Sequence, residues 1–216
     1  AVTMWRSSMI KLVVLDVDGV LTDGKKYYNR EGDVVMKTFC DKDWTAIKRL
    51  RAMDIAVVFL TGDPFNESIA KNRNIPCIVN RKDGKHTDKS YYIEDLAKQY
   101  KVKMDEIVYA GDDIFDIEIM KKLKHAYCPM NSEMTVQSYA DPIDANSGEN
   151  FVMHLLDQLQ TDIKFIKENL FNPHEGLWAE TKENTRFREN SQKWRGIIGI
   201  GFIGLVIEKV WSIFTT

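Results

Sequence analysis

Leu12-Val13-Val14-Leu15-Asp16-Val17-Asp18-Gly19-Val20-Leu21-Thr22-Asp23-Gly24 is an apolar run that stops at two aspartates one residue apart, then a glycine. A Val- and Leu-rich run of this length reads as a buried strand of a parallel sheet. Open α/β sheets bind ligands at the carboxyl ends of such strands, which puts Asp16 and Asp18 at the lip of a crevice. Strand alternation would send both side chains the same way. Two carboxylates so placed repel each other and need a cation, a shared proton or a cationic partner.

Outward from this strand the pattern alternates. Two β-rich runs, Lys26–Asn29 and Val34–Phe39, flank a Gly-containing turn and predict a hairpin. Asp41 or Asp43 is placed to cap a helix whose apolar positions are Trp44, Ala46, Ile47 and Leu50. A second strand, Ile55–Leu60, ends at Thr61-Gly62-Asp63-Pro64, and a helix from Phe65 to about Arg73 follows. Pro76–Val79 reads as a third strand. Asp88 is placed to cap a helix with Tyr92, Ile93, Leu96, Ala97 and Tyr100 on its apolar face. Ile107–Ala110 is a fourth strand ending at Gly111-Asp112-Asp113, Ile114–Leu123 a helix, and Ala126–Cys128 a fifth strand stopped by Pro129. A helix over Ser132–Tyr139 and an extended piece at Pro142-Ile143 complete the pattern. Alternating strands and helices predict an α/β fold, a Rossmann-like parallel sheet with helices on both faces.

The chain has 216 residues, a formal charge of −2 and a pI near 6.1. No global basic field is present, so a broad nucleic-acid surface is not expected. Cys40, Cys77 and Cys128 are scattered and odd in number. That suits a reducing cytoplasm better than a disulfide framework or a zinc site. His86, His125, His154 and His174 share no metal-binding spacing and read as structural or surface residues. Residues 1–8 read as an N-terminal extension without signal-peptide character, with Met9 a candidate natural start.

Beyond the alternating region, Val152, Leu156, Leu159, Ile163, Ile166 and Leu170 recur at spacings of four and three. This is either a final helix packed on the sheet and running past it or a self-association seam. Residues 161–195 form a charged helical extension, and residues 196–214 an apolar tail. The uncharged run Gly196–Ile207 is short for a membrane span. Yet Trp194 and Trp211 would lie roughly 25 Å apart on a helix, near an apolar bilayer thickness. Membrane association through the tail and burial of an apolar helix in an oligomer both stay open.

Three strand ends carry the chemistry: Asp16/Asp18, Thr61-Gly62 and Gly111-Asp112-Asp113, with Lys89 near a helix start. Parallel connectivity gathers them along one sheet edge. An all-oxygen ligand set favours a hard cation, Mg²⁺ first. A hydroxyl, an ammonium and free N–H groups beside it suit a phosphoryl group. A calcium-binding EF-hand loop is excluded, because its fifth, sixth and twelfth positions would hold Val20, Leu21 and Tyr27.

Asp16-Val17-Asp18-Gly19-Val20-Leu21-Thr22-Asp23-Gly24, Thr61-Gly62, Lys89 and Gly111-Asp112-Asp113-x-x-Asp116 resemble, in order, the four motifs of the haloacid dehalogenase superfamily. The long first motif, the hairpin, Lys37-x-Phe39 and Asp43 resemble its capless branch of 3-deoxy-D-manno-octulosonate 8-phosphate phosphatases and related sugar-acid phosphatases. The resemblance covers residues 9–160, with a β-hairpin flap and no large cap. It implies a Mg²⁺-dependent phosphomonoesterase acting on a small phosphorylated sugar or sugar acid. Asp16 would be the nucleophile and Asp18 the acid and base. Asp16, the Asp18 carbonyl and Asp112 would hold the metal, and Thr61, Gly62 and Lys89 the phosphate. Asp116 would support the metal's water shell or Lys89; Asp113 would serve the same shell or cap a helix. A homo-oligomer, such as a tetramer, assembled through the hairpin is expected.

Two departures concern the substrate. The branch often carries a glycine-rich stretch before the last helix whose arginine can reach a neighbouring subunit's site. Here that stretch resembles Ser147–His154, with Met153 at the arginine position. Asp63 follows Thr61-Gly62 where some members have arginine. The competing functions are a nucleic-acid end phosphatase, weakened by the lack of a basic, aromatic-rich groove, and a non-catalytic tethering or scaffold protein on the same fold.

Overall fold

The structure, a computed structural model, describes residues 10–82 and 84–170; the side chains of 82 and 161–170 lie outside the description. The N-terminal extension, residues 171–195 and the apolar tail also lie outside it, so the expectations for them have no structural counterpart. The chain divides into two compact units, Ala1–Thr161 and Asp162–Thr216. Among the described residues no helix is long and apolar enough to cross a membrane.

In chain order the elements are β1 (Leu12–Leu15), β2 (Tyr27–Tyr28), β3 (Val34–Met36), α1 (Asp41–Ala52), β4 (Ala56–Thr61), α2 (Phe65–Asn72) and β5 (Cys77–Val79). Then come β6 (Arg81–Lys82), β7 (Lys85–His86), α3 (Ser90–Tyr100), β8 (Ile107–Ala110), α4 (Ile117–Lys122), β9 (His125–Pro129), α5 (Met134–Gln137), β10 (Asp141–Ile143) and α6 (Phe151–Leu170). A six-stranded sheet runs in the order β10-β9-β8-β1-β4-β5, every neighbouring pair parallel. The α/β expectation holds.

β1 is central because it is buried on both faces and has no polar residue to expose: Leu12, Val13, Val14 and Leu15 are all fully buried. Alternation splits the core into two layers. Val13, Leu15, Val57 and Phe59 pack with Trp44, Ile47 and Leu50 of α1 and with Phe151, Val152, Leu155 and Leu156 of α6. Leu12, Val14, Val58 and Leu60 pack with Ile93 and Leu96 of α3, Ile119 and Met120 of α4, and Val136 of α5. Helices therefore cover both faces.

The register builds the functional edge. Leu15 lies between Phe59 and Ala110, so Asp16, Thr61 and Gly111 emerge together at the carboxyl ends of β1, β4 and β8. The chain turns immediately after β1, where the amides of Leu21 and Thr22 both donate to the Val17 carbonyl.

Several local expectations change. Neither Asp41 nor Asp43 caps α1, whose N-cap is Cys40 with no side-chain bond. Asp43 instead caps α6: its Oδ1 accepts from the amides of Val152 (2.8 Å) and Met153 (3.3 Å). Such a bond satisfies donors that a helix start leaves open. Asp43 is buried, and its other oxygen has no partner. Burial raises its pKa to about 6 against the pull of the Met153 and Val152 amides. Asp88 holds the start of α3, its Oδ1 accepting from the Ser90 amide at 2.8 Å. The helix expected over 114–123 opens with a 3-10 turn, Ile114–Asp116. The helix expected over 132–139 shortens to α5, because the Glu133 backbone is extended. Of the seam residues, Val152, Leu156 and Leu159 are buried in the core of the first unit, as the packed-helix reading expects. The β6–β7 hairpin is an addition that the sequence pattern did not predict.

Candidate active site

The motif residues meet in one cleft of about 380 Å³, lined by Asp16, Asp18, Thr61, Gly62, Lys89, Asp112 and Asp113 from the predicted set. Gly19, Gly24, Lys26, Asp63, Arg81, His86 and Phe115 complete its walls. Asp116 lies beneath, fully buried.

Asp16 and Asp18 do not share one environment. Alternation ends with β1 at Leu15, and the turn at Val17 sends the two carboxylates to separate lysines. Both nevertheless line the one cleft. Asp16 Oδ2 pairs with Lys89 Nζ at 2.7 Å, and its Oδ1 accepts from the Val17 amide at 2.7 Å. Asp18 accepts from Lys37 Nζ through both oxygens, at 2.6 and 2.9 Å.

On the Asp16 side, Asp116 organises the floor. Its Oδ1 accepts from Lys89 at 2.7 Å and from the Tyr109 hydroxyl at 2.6 Å. Its Oδ2 accepts from the amides of Asp112 (3.0 Å) and Asp113 (3.1 Å). With four donors on it, Asp116 serves as a fixed counter-charge that holds Lys89 and the Gly111–Asp113 turn. Lys89 is almost fully buried; burial alone would lower its pKa, but the charges of Asp16 and Asp116 outweigh that and hold it raised.

The carboxylates on this side are crowded. Burial raises the Asp16 pKa to about 7, with Lys89 opposing and Asp116 adding to the rise. Burial, then repulsion from Asp16, Asp116 and Asp113, raises Asp112 to about 8. One oxygen from each of Asp16, Asp112 and Asp116 lies within 4.8 Å of the others. Buried oxygen donors that also repel one another fit a hard divalent cation, whose charge would oppose the rise. Gly19 makes the room: with φ at +79°, it sits where a Cβ would collide with the Asp112 carboxylate.

On the Asp18 side the network was largely missed by sequence reasoning. Lys37, its side chain fully buried, also donates to Asp63 Oδ2 (2.8 Å) and Asn66 Oδ1 (2.9 Å). Asn66 Nδ2 donates to Thr61 Oγ1 at 2.8 Å and Asp18 Oδ2 at 3.3 Å. Lys26 donates to Asp63 at 2.7 Å and lies 3.5 Å from Asp18. Burial would raise Asp63, but the bonds from Lys26 and Lys37 override it and hold that carboxyl far below the usual range. A lysine in a short β-rich run is an ordinary surface residue in a sequence, so only Lys37 had a signal, through the Lys37-x-Phe39 pattern. Asn66 and Tyr109 had none.

His86 is exposed, as its reading as a structural or surface residue expects. It lines the cleft and stacks on Phe115, with ring centroids 5.5 Å apart and planes 11° apart. Gly62 admits it, since a Cβ there would lie 2.7 Å from His86 Cε1. Met153 does not line the cleft; its sulfur accepts from Arg49 Nη1 at 3.5 Å. All three cysteines are free.

Residues 83–156 match the family of haloacid dehalogenase-like hydrolases. The 3-deoxy-D-manno-octulosonate 8-phosphate phosphatase of Haemophilus influenzae is 30% identical over 139 residues, 64% of this chain and 76% of that protein. Matches to proteins of the same description from Escherichia coli are shorter, spanning 61% of the K12 protein. A cobalt-bound Haemophilus influenzae deoxy-D-mannose-octulosonate 8-phosphate phosphatase structure superposes with a TM-score of 0.64 at 28% identity, over 71% of this chain and 89% of that one. The Moraxella catarrhalis phosphatase, solved with magnesium, phosphate and its KDO molecule, shares the fold at 24% identity, with a TM-score of 0.64 over 72% of this chain and 88% of that one. On these matches the chain belongs to the haloacid dehalogenase-like hydrolases, within the phosphatase branch that includes the 3-deoxy-D-manno-octulosonate 8-phosphate phosphatases.

Proposed function

We propose that the protein is a Mg²⁺-dependent phosphomonoesterase that acts on a small phosphorylated sugar or sugar acid through an aspartyl-phosphate. One observation carries the reading: two aspartates from one strand end face one cleft, each held by its own buried lysine. Nucleophile and proton carrier must be separate groups, and this arrangement separates them.

Asp16 Oδ attacks phosphorus as the bond to the leaving oxygen breaks. Lys89 and the Thr61 hydroxyl hold phosphoryl oxygens as their charge redistributes, beside the backbone at Gly62. Asp18 gives its proton to the departing oxygen. As a carboxylate it then takes a proton from water, whose oxygen attacks the aspartyl-phosphate, releasing phosphate and restoring Asp16. Asp16, Asp112 and the Asp18 main-chain carbonyl would hold the cation, which neutralises phosphoryl charge. Lys37 and Asn66 aim Asp18, and Asp116 aims Lys89. The cobalt and magnesium of the two related structures suit this ligand set. Tyr27, Tyr28, Val35 and Met36, all exposed on the β2–β3 hairpin, suit the self-association expected of the branch.

A phosphate-release screen with Mg²⁺ over sugar phosphates, sugar-acid phosphates, nucleotides and 3′-phosphorylated oligonucleotides tests the reading. Turnover confined to the small sugar phosphates is expected, and Asp16→Asn should cut it on the order of 10⁴-fold or more. Turnover confined to oligonucleotides, or left intact in the Asp16 variant, overturns it.

A further inference from the structure

We propose that Arg81, on the β6–β7 hairpin, is a specificity-determining residue that binds a second anionic group on the substrate's leaving group. The proposal rests on the phosphatase reading above and names the class of substrate that reading leaves open.

The charges of the cleft single Arg81 out. Four lysines and arginines serve it. Lys89 is held between Asp16 and Asp116, each at 2.7 Å. Lys37 is bound by Asp18 and Asp63, and Lys26 by Asp63. Asp63 therefore ties up both cations on the Asp18 side. Among the described residues Arg81 is the one cleft-lining lysine or arginine without an ion pair, and it is exposed.

Its position is fixed from below. The Asn80 amide donates to the Thr61 carbonyl at 2.9 Å, joining the hairpin's stem to the end of β4. The Thr87 amide donates to the Asn80 carbonyl at 2.7 Å, and Asn80 Nδ2 donates to the Thr87 carbonyl at 2.6 Å. Asn80 is itself buried. Above this clamp, Arg81 and His86 are direct cross-strand partners. Directly opposed residues of an antiparallel pair share a face. His86 is packed over Gly62 on one side and stacked on Phe115 on the other, so the pair stands at the cleft mouth.

The chemistry of the occupant follows. A guanidinium offers a planar fork of donors that matches an oxyanion in bidentate geometry. Phe115 is 58% exposed beside it, a flat apolar surface for the face of a sugar ring or a short carbon chain. A cleft of about 380 Å³ suits a small molecule. The substrate class is a phosphorylated sugar with a second oxyanion, a carboxylate or another phosphate, away from the transferred group.

The test compares kcat/KM for the wild-type chain, Arg81→Gln and Arg81→Lys, with Mg²⁺. The substrates are 6-phosphogluconate, fructose 1,6-bisphosphate, glucose 6-phosphate and p-nitrophenyl phosphate. The wild-type chain should favour one of the two sugars that carry a second anionic group over glucose 6-phosphate, and the favoured one tells carboxylate from phosphate. Arg81→Gln should lower that preference ratio on the order of 10- to 100-fold, mainly through KM, and Arg81→Lys should restore part of it. A wild-type preference for glucose 6-phosphate, an unchanged ratio, or equal losses on all substrates overturns the proposal. Turnover of p-nitrophenyl phosphate with an unchanged ratio overturns the role of Arg81 alone. No turnover of any substrate overturns the phosphatase reading and this proposal with it.

Discussion

The two walls of the cleft are built from different material. The Asp16 wall stands on strand ends inside the sheet, with Lys89, Tyr109 and Asp116 buried and bonded to one another. The Asp18 wall stands on segments outside the sheet: the end of the β2–β3 flap, which carries Lys37, and the turn into α2, which carries Asp63 and Asn66. The first wall is short of cations and holds carboxylates with raised pKa values. The second pairs its carboxylates with lysines until Asp63 is held firmly ionised. A wall fixed by the core suits a step that every substrate shares. A wall made of surface segments can change with the substrate and leave the sheet alone.

The sharpest way to break this contrast is Lys37→Met. Lys37 is a buried side chain that donates to Asp18, Asp63 and Asn66 together. Its removal should misplace Asp18 and lower kcat on the order of 100-fold, with KM moving far less. A raised KM with kcat unchanged would mean that the lysine serves binding, and the division between the walls would fail.

Metal and pH sharpen the first wall. Asp16 at about 7 and Asp112 at about 8 stand above their ordinary value, so the metal-free native state keeps protons that the unfolded chain releases. Their stabilising contribution is present below pH ~4 and is lost as pH rises through 7 and 8. Metal-free Tm should therefore fall between pH 5 and pH 8. Mg²⁺ must find deprotonated ligands, so it should raise Tm more at pH 8 than at pH 5. At 100 times Kd the gain is about 2.7 kcal/mol. Calorimetry that finds the same Mg²⁺ shift at both pH values would place the ion elsewhere.

The smallest effect lies outside both walls. Asp43→Ala strips the cap from α6 and should cost about 1 kcal/mol, or roughly 2–4 °C in Tm. Activity at 25 °C should stay within about twofold, since Asp43 does not line the cleft. A larger loss of activity than of stability would show that α6 reports to the site.

What was legible in the sequence divides along the same line. Val13, Leu15, Val58 and Leu60 are apolar because both faces of the sheet are covered, so the strands announced themselves, and each ended at its motif. Arg81-Lys82-Asp83-Gly84-Lys85-His86 has no apolar residue, because the hairpin faces no core. Periodicity had nothing to register there. Asn66 reads as an ordinary helix residue, and its bonds to Thr61 and Asp18 exist only once α2 is docked. Asp43 carried a capping signal, but the sequence could not say which helix it caps; the helix it serves begins over 100 residues later.

The central place of β1 has a consequence for how the protein is made. Lys11, just before that strand, meets Glu106 across a separation of 95 residues, and Leu15 meets Ala110. At ribosomal speeds that interval lasts on the order of 5–20 s. During it one long edge of the most apolar strand has no neighbour to pair with. A nascent chain in that condition is a natural client for chaperones, and slowing translation between β4 and β8 should lower the yield of native protein.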